Sequence, residues 1–406
     1  MTTRRTVREA DLPLEVAILL VAALALLITG ALLLPISSGA LPYYEDGLFG
    51  LLLVIFALQT VILGKTPFGD ARRTTPVVAL GAALAAVGIV TCFVPDLLGD
   101  IPRILLVVSF GLGGLTLLQR AALDPDRYRT WWRLGGALRH LVLSSASVYT
   151  GSVVVAVLLW WPGTLTLPAT AVVVLAYGAS ILYLAFALRV VYGEYPDAGG
   201  RAPGDLGLST EHAMILLMGI FMVLLGATLV PVNFGALPFS GSAQLGLLTV
   251  FFAVQMLTSG STPLGPFPRT WAMIGAGLLF AAAGIVSTII PDVLVVLLTV
   301  LVGALNILSG VITLTKQIAP VLKRAPEPRD PVSPTLARLG VVQVVMGLVS
   351  VLFGASMLVS RLVPGLVLGV TLAANGAILL YELHLLRALG RETAVAVGDA
   401  RTGSRL

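Results

Sequence analysis

The stretch GAALAAVGIVTCFVPDLLGDIPRILLVVSFGLGGLTLLQ, residues 81–119, contains two long apolar runs separated by the short segment PDLLGDIP. Each run is about 20 residues long and lacks the alternation of polar and apolar residues that is typical of barrel strands. The bilayer core holds no water, so a spanning segment must satisfy its own backbone hydrogen bonds, as an α-helix does. The stretch therefore predicts two transmembrane helices joined by a turn at Pro95.

The composition extends this prediction to the whole chain. Of its 406 residues, 57% are hydrophobic and 11% are charged, whereas a soluble domain carries about 25% charged residues. We therefore predict an all-α transmembrane protein with twelve spanning helices. The predicted spans are residues 14–35, 47–64, 75–95, 101–119, 140–161, 168–191, 211–231, 243–260, 270–290, 292–315, 338–360 and 362–387.

Basic residues cluster in alternate loops of this arrangement. Arginines and lysines lie in the segments 4–8, 65–73, 120–139 and 316–329, and the loops between these segments carry almost none. The positive-inside rule then predicts that both termini face the cytoplasm, in a cell (inner) membrane. The formal charge of +5 follows from this topology, so we do not expect nucleic acid as a partner.

The first half of the sequence recurs in the second. Residues 35–96 correspond to residues 231–292 at a constant offset of 196, and GASILYLAFALR (178–189) corresponds to GAILLYELHLLR (376–387) at an offset of 198. Each copy holds an even number of spans, so the two copies would enter the membrane in the same sense, as parallel repeats. The predicted domains are a first six-helix repeat at 1–192, a cytoplasmic linker at 193–210, a second six-helix repeat at 211–390 and a flexible cytoplasmic tail at 391–406.

Each repeat also divides into three helical hairpins, with glycine in the helices and proline at the outer turn. Residues 81–119 and their copy, GAGLLFAAAGIVSTIIPDVLVVLLTVLVGALNILSGVITL (275–314), resemble the HdeD-like family of membrane proteins, the DUF308 group. Members of that family look like six-helix proteins made of three hairpins, so the chain resembles two such units in tandem. The resemblance implies an inner-membrane protein linked to acid or general stress, and it carries over no catalytic residue.

Few polar residues lie in the middle of the predicted spans. Gln59 and Gln255 occupy equivalent positions in the two copies. They would either bond across helices as packing groups or line a path between the two halves. Glycines in the spans allow neighbouring backbones to approach closely. The candidates for helix packing or path lining are Gln59, Gln255, Asn306, Asn375, Gly64, Gly260, Gly114 and Gly310.

The segment DPDRYRTWWRLGGALRH, residues 124–140, combines arginines with tryptophans. Such a segment is typical of the membrane interface, with aromatic rings at headgroup depth and arginines towards anionic lipid. The predicted lipid-contact residues are Arg129, Trp131, Trp132 and Arg133. A plain basic loop that anchors the topology is the alternative.

No motif in the sequence indicates catalysis or a cofactor. GKT at 64–66 resembles the end of a phosphate-binding loop, but the position of that loop's first glycine is Gln59, and the copy has Ser261 in place of Lys65. The single cysteine, Cys92, and three scattered histidines form no metal-ligand set. We therefore expect no catalytic, cofactor-binding or metal residues and no enzymatic activity.

The sequence thus predicts a non-enzymatic membrane protein, structural or stress-associated as the HdeD-like resemblance implies. The alternative is a transporter or facilitator for a small neutral or apolar solute that passes between the two repeats. The expected partners are the lipid bilayer and a homo-oligomer or another membrane protein.

Overall fold

The computed structural model describes residues 12–195, 209–262, 265–323, 334–359 and 364–403, and leaves out the side chains of residues 125–128, 266, 319–323, 334–337 and 388–403. Most of the predicted linker at 193–210 and the basic N-terminal segment lie outside the described residues. The helices are α1 (Leu14–Ser37), α2 (Glu45–Leu58), α3 (Thr75–Phe93), α4 (Ile101–Val107), α5 (Gly113–Leu123), α6 (Pro125–Leu134), α7 (Gly136–Trp160), α8 (Leu167–Glu194), α9 (Thr210–Asn233), α10 (Gly241–Ser259), α11 (Trp271–Ile289), α12 (Val295–Lys323), α13 (Pro334–Leu358) and α14 (Gly365–Gly403).

Two π-helical turns interrupt this pattern. Gln59–Leu63 continues α2, and Val108–Leu112 joins α4 to α5. Within the described residues, four strands of two residues form two small sheets, of which the first is antiparallel. They are β1 (Lys65–Thr66) with β2 (Gly69–Asp70), and β3 (Ser261–Thr262) with β4 (Gly265–Pro266).

Twelve helices within the described ranges are long and apolar enough to cross a membrane, when α2 is counted with its π turn and α4 to α5 as one span. The structure thus confirms an all-α, multi-pass membrane protein. Helix α14 continues through the backbone of the predicted tail as far as Gly403, and α6 is a separate short helix between two spans.

The helices form two compact units. The first contains α1–α8, α10 and α11, and the second contains α9, α13, α14 and α12 from Thr299 onward. These units group helices by packing, which is a different division from the sequence repeats at 1–192 and 211–390. The repeat boundaries therefore stay a prediction.

In the first unit, the most extensive contacts join α1 to α8, α2 to α3, and α10 to α11. Helix α10 also packs on α3, and α11 packs on α2. Of the helices joined at the predicted outer turns, α7 and α8 contact each other extensively, whereas α1 with α2 and α3 with α4 contact each other far less. The closest neighbours in the bundle are therefore mostly not the members of one outer hairpin.

Glycine makes these close contacts physically feasible. A Cβ atom on Gly50 of α2 would lie 2.4 Å from the carbonyl oxygen of Gly88 in α3. In the second unit, a Cβ atom on Gly226 of α9 would lie 2.2 Å from the backbone nitrogen of Ala373 in α14. Since lipid is as apolar as leucine, helices in a membrane gain from such close backbone packing rather than from a hydrophobic force.

Gly64 and Gly260 end their helices in the left-handed region, with φ of 69° and 68°. This is the usual glycine conformation just after a helix C-terminus, and it turns the chain into the β1–β2 and β3–β4 hairpins. The GKT segment is therefore the start of a small β-hairpin. Two equivalent arginines hydrogen-bond the backbone at the ends of these two helices. Arg73 Nη1 donates to the Ile62 carbonyl at 3.0 Å, and Arg269 Nη2 donates to the Leu257 carbonyl at 2.8 Å.

Candidate binding cavity in the first half

A cavity of about 740 Å³ lies inside the first half of the chain. Residues of α1, α2 with its π turn, α4–α5, α7 and α8 line it, and all of them belong to the first compact unit. Small-molecule sites in proteins are clefts of about 300–1,000 Å³ with mostly apolar walls and a few placed polar groups. We call this space the first cavity.

Most of the wall of the first cavity is apolar and includes an aromatic cluster. The Phe56 and Phe110 rings meet edge to face with their centroids 5.0 Å apart, and Phe110 meets Tyr177 in the same way at 5.9 Å. Edge-to-face geometry is the favoured arrangement of aromatic pairs. The three rings, which come from three different helices, therefore form a well-packed apolar surface.

Among the neutral polar side chains that line the first cavity are Gln59, Ser109, Ser145 and Tyr177. Within the described part of the chain, none of these four makes a side-chain hydrogen bond to the protein. Ser109, Ser145 and Tyr177 are only 8%, 9% and 5% exposed. Their oxygen atoms are not among the fully buried, unpaired polar atoms of the described residues, so they are open to the cavity. Hydroxyl and amide groups both donate and accept, so these four can bond a molecule in the cavity.

Both π turns contribute to this wall. Gln59 begins the turn Gln59–Leu63, and Ser109 and Phe110 lie in the turn Val108–Leu112. In the second half, the corresponding segments 255–259 and 304–308 are regular α-helix within α10 and α12. Single π turns are rare and often occur at functional sites. Their position at the first cavity therefore favours a functional role for it.

One end of the first cavity is charged. Glu15 of α1 forms an ion pair with Lys65 of β1 and accepts a hydrogen bond from the Tyr192 hydroxyl of α8 at 2.5 Å. Lys65 Nζ also lies 3.7 Å from Asp70. The Glu15 side chain is 13% exposed, so it depends on these partners to offset its desolvation. The ion pair thus holds α1, α8 and the β-hairpin together at this end.

Of the predicted path-lining residues, Gln59 and Gly114 lie at the first cavity, whereas Gln255 does not line it. The path was predicted between the halves, and the cavity at Gln59 lies within the first half. Gly114 and Gly310 pack against the next helix. A Cβ atom on Gly114 would lie 2.1 Å from Ser152 Oγ.

The two predicted asparagines occupy the positions in the second half that correspond to Phe110 and Tyr177. Asn306 Nδ2 donates to the Val302 carbonyl of its own helix at 2.8 Å. Asn375 is 8% exposed, and its Oδ1 atom has no hydrogen-bond partner among the described residues. Both residues therefore stand at sequence positions where the first half has aromatic residues, and neither has an aromatic ring.

The predicted interfacial residues lie on or beside the charged end. Trp131 of α6 lines the first cavity. Trp132 is 44% exposed, and the Arg139 guanidinium lies 4.6 Å from the centre of its ring. Arg129 and Arg133 are exposed. Their contact with lipid stays a prediction, while the place of Trp131 at the cavity was not predicted.

Sequence reasoning missed Ser109, Ser145 and Tyr177, because hydroxyls are common in transmembrane helices as local hydrogen-bonding groups. The ion pair between Glu15 and Lys65 was not predicted either. The one signal in the sequence for the charged end of the cavity is that an acid lies on α1 and a lysine lies just after α2. No family model, curated protein or solved structure matches the chain. The fold and the cavity define the class: a multi-pass membrane protein with an internal cavity in its first half.

Proposed function

We propose that this protein binds a small neutral solute in the first cavity and facilitates its passage across the membrane. The observation that carries the proposal is the set of four neutral polar groups without protein partners in the described ranges, in a cavity that is mostly apolar apart from its charged end. An ion in such a chamber would lose most of its hydration. A neutral molecule with an apolar body would lose little and could bond Gln59 and the three hydroxyls.

The extent of the first cavity supports passage as well as binding. The lining runs from the charged residues Lys65 and Asp70 to Leu26 and Ser109, which lie near the middle of their spans. A solute at Ser109 would thus be within the membrane while still connected to the charged end. The expected non-enzymatic character is part of the proposal, since binding and release of a solute require no reacting group.

The test is solute flux in liposomes that contain the purified protein, followed by light scattering with glycerol and urea as probes. We expect Gln59→Leu and Tyr177→Phe to slow the flux by about fivefold each, the effect of one lost hydrogen bond of about 1 kcal/mol. Gln255→Leu is the matched control, because it makes the same change at the equivalent position away from the first cavity. Liposomes without protein give the background.

Two results would contradict the proposal. If neither probe moves faster through liposomes with protein than through empty ones, the protein does not facilitate passage of small neutral solutes. If Gln255→Leu slows flux as much as Gln59→Leu, the effect comes from general helix packing. Each variant must also unfold at the same temperature as the wild type, so that a slower flux is not caused by a loss of stability.

We also propose that the chain is two parallel six-helix repeats, each of three hairpins. Equivalent glycine contacts support this: Gly50 faces Gly88, and Gly246 faces Gly284, 196 residues later. Membership of the HdeD-like family, with its link to stress, is a further part of this proposal. The position of both termini in the cytoplasm is another.

A further inference from the structure

A second cavity, of about 320 Å³, lies inside the second compact unit between α12, α13 and α14. Seven of its nine lining residues correspond to lining residues of the first cavity at the repeat offsets of 196 or 198. Lys316, for example, corresponds to Arg120, and Glu382 corresponds to Leu184. The second cavity thus occupies the same place in its own half as part of the first cavity does.

The chemistry of the second cavity is different, because polar side chains replace apolar ones. Thr313 stands where the first cavity has Leu117, and Glu382 stands where it has Leu184. The hydroxyls of Ser309, Thr313 and Ser350 make no hydrogen bond to another described residue. The second cavity therefore suits a polar molecule, whereas the first suits a mostly apolar one.

Two opposite charges line the second cavity without meeting. Glu382 comes from α14 and Lys316 from α12, and no ion pair joins them in the described ranges. Gln317 donates to Gln343, which in turn hydrogen-bonds the Glu382 carboxyl group. This amide chain holds the carboxyl group in place at the wall, while Lys316 is exposed and free to turn towards a ligand.

We infer that the second cavity binds a small zwitterion, with its ammonium group at Glu382 and its carboxylate at Lys316. Charge-assisted hydrogen bonds at both ends would give such a molecule an advantage over one with a single charge. The unpartnered hydroxyls would bond the remaining polar atoms. This inference does not rest on the proposed function, because it concerns the other half of the chain and a charged ligand.

The experiment uses isothermal titration of the full-length protein with ω-amino acids of increasing length: glycine, 4-aminobutanoate and 6-aminohexanoate. The carboxyl group of Glu382 is held at the wall and the reach of the Lys316 side chain is limited, so one length should bind most tightly. Butanoate and butylammonium, which each carry one charge, should bind about tenfold more weakly or worse. Lys316→Gln and Glu382→Gln should each weaken binding of the best zwitterion to a similar degree.

Glu211→Gln is the matched control, since Glu211 is an exposed acid of the same compact unit that lines neither the first nor the second cavity. It should leave binding unchanged. If Glu382→Gln fails to fold, Lys316→Gln still decides, because Lys316 is exposed and forms no ion pair in the described ranges. The inference is wrong if no ω-amino acid binds, if the singly charged compounds bind as tightly, or if binding survives the substitution of Lys316.

Discussion

Replacement of Gly284 by alanine should separate α10 from α11. A Cβ atom at this position would lie 2.6 Å from the Gly246 carbonyl oxygen and 3.0 Å from the Val250 backbone nitrogen. An ordinary contact begins at 3.4 Å, so the helices must move apart by 3.4 − 2.6, or about 0.8 Å, since backbone atoms cannot turn aside. Overpacking of this kind costs about 1–3 kcal/mol, of which the better helix propensity of alanine returns up to about 1 kcal/mol.

The same helix provides the control. A Cβ atom on Gly275 would meet nothing within 4 Å, so Gly275→Ala should be neutral or stabilise the protein by up to about 1 kcal/mol. Thermal unfolding of the detergent-solubilised protein measures both variants under one condition. Gly284→Ala should unfold several degrees below Gly275→Ala. Equal stability of the two variants would refute the close contact between Gly246 and Gly284.

Three further predictions concern the charged end, the helix ends and the topology. Glu15→Gln should lower the free energy of unfolding by less than about 1 kcal/mol, because Lys65 is 38% exposed and water screens the pair; thermal unfolding should show the difference shrink at high salt. Arg269→Lys should cost about 1–3 kcal/mol in the same assay, because Arg269 Nη2 donates to two main-chain carbonyls at 2.7 and 2.8 Å. Ala40→Cys and Ala236→Cys, at equivalent exposed loop positions, should react with an impermeant maleimide from the same side of the membrane, while the native cysteine is buried.

Each of these predictions has a clear contrary result. A Glu15→Gln effect that does not change with salt would mean that the carboxylate acts through packing or through the Tyr192 hydroxyl. An Arg269→Lys variant as stable as the wild type would mean that these two hydrogen bonds are not needed to hold the end of α10. Labelling of Ala40→Cys and Ala236→Cys from opposite sides would contradict the parallel orientation of the two repeats.

The number and kind of the spans followed from the sequence alone. The bilayer leaves a long apolar segment few structures other than a helix, so residues 75–95 predicted a span that the structure has at Thr75–Phe93. The ends of two helices could also be predicted from the sequence, since Gly64 and Gly260 occur just after apolar runs. These features depend on the length of an apolar run and on local backbone conformation, and both are determined by the sequence of a single segment.

The position and lining of the first cavity depend on tertiary packing and could not be predicted from the sequence. Ser109, Ser145 and Tyr177 come from three helices, and they converge only because each helix has a particular rotation about its axis. The spans are apolar on all sides, so no polar face in the sequence indicates which side of a helix meets lipid and which meets protein. The π turn at Gln59–Leu63 has a regular α-helical counterpart at 255–259. Both segments begin with glutamine after an apolar run, so that residue alone does not indicate where the ladder of hydrogen bonds shifts and where the first cavity lies.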